Sequence, residues 1–226
     1  MIPDPALNIW EHSAQLRRLC RRRALGLEPE MDCAAQGAEL LAPHLDRPGL
    51  RVLDAGCGGG HFRLSLLRRG LAVDYLGLDS SPAMVRTARA ALRRQGLAPA
   101  MIVLGDLRDF RDLTCDAAAV INVLSFNPDF RQPLDRLACA GTKVLVVRDF
   151  FAARTKIRYE IDGYLDPGFN HLKGYWNQWS RTEVADFLEQ LGYEVSFVAD
   201  RRTRGRIELV VDKPYRWSWL VAVKRL

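Results

Sequence analysis

A short apolar run ends in an acid and passes straight into glycines: Val52-Leu-Asp54-Ala-Gly56-Cys-Gly58-Gly-Gly60. No other feature constrains the chain as much. Leu50–Asp54 reads as a buried strand, Gly56–Gly60 as a sharp turn, and His61–Arg69 as a helix stopped by Gly70. Glycine permits the turn because it adopts backbone angles closed to other residues. It also lets a ligand approach the main chain where a helix begins. A strand, tight turn and helix in that order belong to a parallel sheet covered on both faces.

The alternation continues. Val73–Asp79 is a second strand ending in an acid, followed by a helix with Ser81 as N-cap, Pro82 in its first turn and Gly96 at its end. Ala100–Leu104, Asp116–Asn122 and Lys143–Asp149 read as further strands. Ser180-Arg-Thr-Glu183 forms a capping box for a helix that ends at Gly192. Strands at Tyr193–Val198 and Trp217–Val223 follow, with Ile207–Val211 as an extra pairing segment. Two helices precede the sheet: one over Pro5–Leu25, and one after Pro29 with Met31, Ala34, Ala35, Ala38 and Leu41 on one face. There is no repeat and no long linker. A single domain over residues 1–226 is expected, with a helical extension over 1–45 and an aperiodic, aromatic-rich insertion over 150–179.

The strand ends carry the chemistry. A dinucleotide fingerprint requires Gly-x-Gly-x-x-Gly, but counted from Gly56 its last position is His61. Asp54 would repel a pyrophosphate, and it suits a ligand presenting a cationic ammonium. Asp79 can accept two ribose hydroxyls. Asp106, within Leu104-Gly-Asp-Leu107, can accept an exocyclic amine. All three acids fall at carboxyl ends of consecutive strands, where open α/β sheets bind ligands. A nicotinamide oxidoreductase is therefore the weaker alternative.

These stretches together resemble the class I S-adenosylmethionine-dependent methyltransferase family. The resemblance rests on VLDAGCGGG, YLGLDSSPAMV, LGDLRDF, DAAAVINVLSFNPDF and the ending WSRTEVADFLEQLGYEV, across roughly residues 30–226. It implies a Rossmann-like α/β fold with a seven-stranded, mostly parallel sheet in the order 3-2-1-4-5-7-6. Helices lie on both faces, and the last strand is antiparallel. It also implies the cofactor S-adenosyl-L-methionine, with S-adenosyl-L-homocysteine as product. Asp54, Gly56 and Gly58 would lie at its methionine end. Asp79 and Ser80 would serve the ribose, and Met84, Asp106 and Leu107 the adenine. Asn122 would sit close to the sulfonium.

The acceptor is expected to be a small molecule, such as a sugar or specialised metabolite methylated on O or N. Its site is expected in the 150–179 insertion, acting as a lid, and in the N-terminal helices. His171, Tyr164, Tyr175 and Asp149 are the catalytic candidates, with Asn177 beside them. Asn127-Pro-Asp-Phe130 looks like the Asn/Asp-Pro-Pro-Tyr/Phe motif of amino-group methyltransferases. It lies five residues past Asn122 and reads as a simple turn.

Composition sets the remaining bounds. Net charge is +6, carried by 28 Arg and 5 Lys against 27 acids. The arginines are scattered over several helices, which reads as a solvated basic surface and makes nucleic acid an unlikely partner. RNA or protein methylation on the same cofactor core is the alternative. The five cysteines form no Cys-x-x-Cys pair and His is scarce, so no metal site or disulfide framework is expected. With no signal-like segment and no apolar run of about 18 residues, a cytoplasmic protein without a membrane span is expected. A homodimer is compatible with the sequence.

Overall fold

The computed structural model describes residues 9–162, 165–210 and 212–225. After a short 3-10 turn at Ile9–His12, helix α1 (Ala14–Ala24) and helix α2 (Asp32–Leu41) precede the sheet. The first helix was expected to begin at Pro5. It begins at Ala14 because the Ser13 side chain takes the N-cap position and accepts from Leu16 N at 3.3 Å.

The core then alternates: β1 (Arg51–Ala55), α3 (Phe62–Arg68), β2 (Asp74–Asp79), α4 (Pro82–Arg94), β3 (Ile102–Leu104) and β4 (Ala117–Ile121). Helix α5 (Arg131–Cys139), which the sequence reading left unassigned, leads into β5 (Val144–Ala152). The insertion is more ordered than its lack of period implied. It holds a hairpin of β6 (Tyr159–Ile161) and β7 (Lys173–Tyr175), then β8 (Trp179–Ser180), which extends alongside β5. Helix α6 (Arg181–Gln190), β9 (Tyr193–Ala199), β10 (Ile207–Val210) and β11 (Lys213–Lys224) finish the chain.

The main sheet runs β3-β2-β1-β4-β5-β11, with β9 beyond β11. Counting β9 and β11 as sixth and seventh, this is the expected 3-2-1-4-5-7-6 order, and β11 is antiparallel to β5. Among the described residues this sheet has nine strands, not seven, because β10 folds back on the start of β11 and β8 adds to β5. Side chains alternate across the sheet. Leu53 and Ala55 pack with Leu134 and Leu188 of α5 and α6, whereas Val52 packs with Leu41, Leu66 and Leu92 of α2, α3 and α4. A sheet buried on both faces explains the nearly all-apolar β4, Ala-Ala-Ala-Val-Ile. Every strand that ends in a candidate acid therefore delivers it to one edge.

Candidate functional site

At that edge the loops after β1 to β4 surround a cavity of about 250 Å³. Asp54, Gly56, Gly58, Asp79, Ser80, Met84, Asp106, Leu107 and Asn122 all line it, and so does Tyr175. The glycine turn is shaped by close neighbours. A Cβ on Gly56, whose φ is +77°, would meet Val123 Cγ2 at 2.3 Å. A Cβ on Gly59 would meet the Cys20 carbonyl oxygen at 2.5 Å, so the turn is also the seat of α1.

Asp54 is buried, and its Oδ2 accepts from Tyr75 Oη at 2.6 Å. Among the described residues its Oδ1 has no partner. Burial pushes the carboxyl up to about 7, with the Tyr75 bond working against that rise and the Asp79 charge adding to it. Asp79 accepts from Gly58 N at 2.7 Å and Ser81 N at 2.9 Å, one bond on each oxygen. Burial pushes it up to about 6 despite those two bonds, and Glu11 contributes to the rise. Asp106 differs: both oxygens are held by Arg108, at 2.9 Å to Nε and 2.6 Å to Nη2. Burial alone would raise Asp106, but the bonds and charge of Arg108 bring it below the usual carboxylate range.

The N-terminal segment forms the roof. Trp10 lines the cavity and meets Phe126 edge-on at 4.9 Å, and Phe126 meets Trp176 of the insertion at 5.0 Å. Glu11 Oε1 accepts from Ser81 Oγ at 2.7 Å and Ala83 N at 2.9 Å, capping α4 from a distant part of the chain. Asp166 of the insertion caps α1 through Ala14 N at 2.8 Å, and His12 stacks on Phe169 at 4.1 Å. Arg23 of α1 reaches the cavity beside His61. Burial, helped by the Arg23 charge, lowers His61 to about 4, so it is neutral at physiological pH.

The catalytic candidates fare differently. Tyr175 lines the cavity. His171 is exposed and is not among the lining residues. Asp149 is fully buried, and its carboxylate accepts from Ser125 N at 3.0 Å and Phe150 N at 2.8 Å. It thus holds the loop after β4. Asn177 does similar work, donating to the Asn127 carbonyl at 2.8 Å. Tyr164 lies outside the described residues. The sequence reading missed Trp10, Arg23, Arg108 and Asn127 as lining residues. Arg108 was readable in principle, two residues from Asp106; Trp10 and Arg23 carry no local signal.

The sheet order is Rossmann-like, and three acids line the cavity at the carboxyl ends of its strands. Residues 52–140 match the family model described as a methyltransferase domain. The chain is 40% identical over 82 residues to the 23S rRNA (uracil(1939)-C(5))-methyltransferase RlmD of Shewanella sp. (strain ANA-3). That match covers 36% of this chain and 17% of the relative's length. The fold is similar to magnesium protoporphyrin IX methyltransferase (ChlM) from Synechocystis PCC 6803, with a TM-score of 0.61 and 18% identity over 98% of this chain and all of the other. It is also similar to the 1,6-didemethyltoxoflavin-N1-methyltransferase of Burkholderia thailandensis, with a TM-score of 0.58 and 18% identity over 86% of this chain and 80% of the other. The matched stretch is similar to a methyltransferase domain, and the fold is that of the class I, Rossmann-like S-adenosylmethionine-dependent methyltransferases.

Proposed function

We propose that the protein transfers a methyl group from S-adenosylmethionine to a small-molecule acceptor. The observation that carries this reading is the convergence of Asp54, Asp79 and Asp106 around the glycine turn in one roofed cavity. The residues present fit the cofactor. Asp54 keeps Oδ1 open for an ammonium. Each Asp79 oxygen has one bond from the main chain and capacity for a ribose hydroxyl. Arg23 offers a cation for a carboxylate. Asp106 can hold the adenine amine by sharing its oxygens with Arg108. At Gly56 and Gly59 the cradle has no room for side chains. When bound, the cofactor supplies a sulfonium-activated methyl group. The protein's share of the work is orientation and exclusion of water, worth roughly 7–11 kcal/mol in favourable cases.

The roof supports a small acceptor. Trp10, Phe126 and Trp176 form an aromatic contact chain that joins the N-terminal segment to the insertion, a shape that fits an enclosed ligand better than a groove. Among the described residues no helix is long and apolar enough to cross a membrane.

The test is label transfer from isotopically marked S-adenosylmethionine to either bulk RNA or a metabolite extract. Label is expected in the low-mass fraction. Transfer to RNA alone at physiological salt would overturn the acceptor assignment. A binding constant for RNA that falls by roughly 10³–10⁵ between 50 and 200 mM salt would point the same way. S-adenosylhomocysteine is expected to raise the melting temperature, and NAD is not.

A further inference from the structure

Asn122 closes β4 with a φ of +59°, in the left-handed region that Asn tolerates better than most residues. Its N–H donates to the Arg148 carbonyl at 2.8 Å, and its Oδ1 accepts from the Arg148 guanidinium. Arg148 is itself fixed. It is 2% exposed, its Nε donates to Asp200 Oδ2 at 2.6 Å, and it lies 3.9 Å from the Trp217 ring centre. A guanidinium only donates, so it must face the oxygen of the amide and never its nitrogen. The Asn122 amide therefore has one orientation. Among the described residues its Nδ2 has no partner; it is not sealed from solvent, and it belongs to a residue that lines the cavity.

We propose that Asn122 Nδ2 donates to an oxygen of the methyl acceptor, and that this acceptor is a carboxylate or a comparably acidic oxygen acid. The proposal rests on the methyltransferase reading above and names its substrate class. A protonated amine has no bond to make with Nδ2, since both only donate. Asn127 shows the opposite face: its Nδ2 is spent on the Val123 carbonyl at 2.9 Å, which leaves Oδ1 to take a donor elsewhere on the acceptor. Asn122 immediately precedes Val123, whose side chain a Cβ on Gly56 would strike.

The remaining lining groups favour an acceptor that needs no base. His61 is held at about 4 and is a weak proton acceptor. Cys20 and Cys33 are raised by burial and stay as thiols. Asp54 and Asp79 are committed to the cofactor. An ionised oxygen brings its own electron pair. One carboxylate oxygen rests on Nδ2 while the other forms the bond to the methyl carbon. The carbon–sulfur bond breaks, its electron pair stays on sulfur, and no proton moves. Arg148 is a positioning residue in this scheme, acting only through Asn122.

The experiment is nuclear magnetic resonance on the side-chain amide of Asn122 at saturating S-adenosylhomocysteine, titrated with sodium benzoate and separately with benzylamine. The resonance pair is assigned by its loss in Asn122→Asp. Benzoate is expected to shift the pair and benzylamine to leave it in place. Asn122→Asp is expected to weaken benzoate binding on the order of tenfold or more. In Arg148→Met/Asp200→Asn, which removes both buried charges together, the amide is free to turn, and the preference for benzoate over benzylamine is expected to collapse. If the double variant does not fold, the Asn122 titrations alone decide. A shift with benzylamine, or with neither probe, overturns the proposal. Failure of S-adenosylhomocysteine to bind at all would instead overturn the methyltransferase reading.

Discussion

Tyr75 donates to Asp54 at 2.6 Å across the β1–β2 pair, so the buried acid before the glycine turn is held from within the sheet. The bond ties the ionisation of Asp54 to the packing of β2. Tyr75→Phe is expected to cost about 1–3 kcal/mol, as for a buried acid that loses a partner, and to push the Asp54 carboxyl further up. Urea unfolding at pH 7 measures the first effect. Carbon-13 titration of the Asp54 carboxyl measures the second.

Ligand binding carries a pH signature. Asp54 at about 7 and Asp79 at about 6 are raised from 3.8, so the stability they contribute is full below about 4 and lost as pH rises through those values. His61, lowered from 6.5 to about 4, works the other way: its contribution is present above 6.5 and lost as pH falls through about 4. The two trends oppose each other in thermal unfolding, and affinity is the cleaner readout. A cationic ammonium needs the ionised carboxylate, so S-adenosylhomocysteine affinity is expected to rise between pH 6 and 7, with Asp54→Asn flattening the rise. A calorimetric profile that is flat in the parent protein would contradict the assignment of Asp54.

Gly59 is a seat, not a hinge. Its φ is ordinary, but a Cβ there would lie 2.5 Å from backbone at Cys20, and backbone cannot swing aside as a side-chain tip can. Gly59→Ala is expected to lift α1, expose its arginines to trypsin and weaken cofactor binding together. Gly49→Ala, where no atom lies within 4 Å, carries only its backbone strain at φ +79° and is expected to leave α1 protected. Limited proteolysis of both variants compares them directly.

Glu11 and Asp166 secure one segment from two sides. Glu11→Ala removes an acceptor that supplements Ser81 at the start of α4, and Asp166→Ala one that supplements Ser13 at the start of α1, each at a cost of about 1 kcal/mol. Since both hold Trp10 in place, the losses are expected to be non-additive in a double-mutant cycle read by protease susceptibility of residues 9–25. Additive losses would show two independent anchors.

Asp149→Asn is expected to act on stability. It places an amide nitrogen against the N–H of Ser125 or of Phe150, at a cost of about 1–3 kcal/mol. A lowered melting temperature checks this. A pH–rate profile that loses a limb in this variant, with stability unchanged, would return Asp149 to the list of catalytic candidates.

Local patterns carried much of this into the sequence. A strand, an acid and a glycine turn lie within ten residues around Asp54, and Ser81-Pro82 announces its helix at once. Asp106 is visible in the sequence, but its pairing with Arg108 is not. Helix α5, only nine residues long, was passed over although Leu134 and Leu137 face the core. Other features have no local signature at all. Glu11 meets Ser81 across 70 residues, and the orientation of Asn122 depends on Arg148 and, through it, on Asp200. His171 drew attention by residue type, and only its exposure shows that it lies outside the cavity.

The joining of the N-terminal segment to the insertion has a consequence for turnover. Because His12 and Ala14 are bound to Phe169 and Asp166, the roof and the wall bearing Tyr175 cannot part independently. A roof and a wall tied in this way are expected to open together, so that entry of the first ligand and departure of the last product follow a common rate constant.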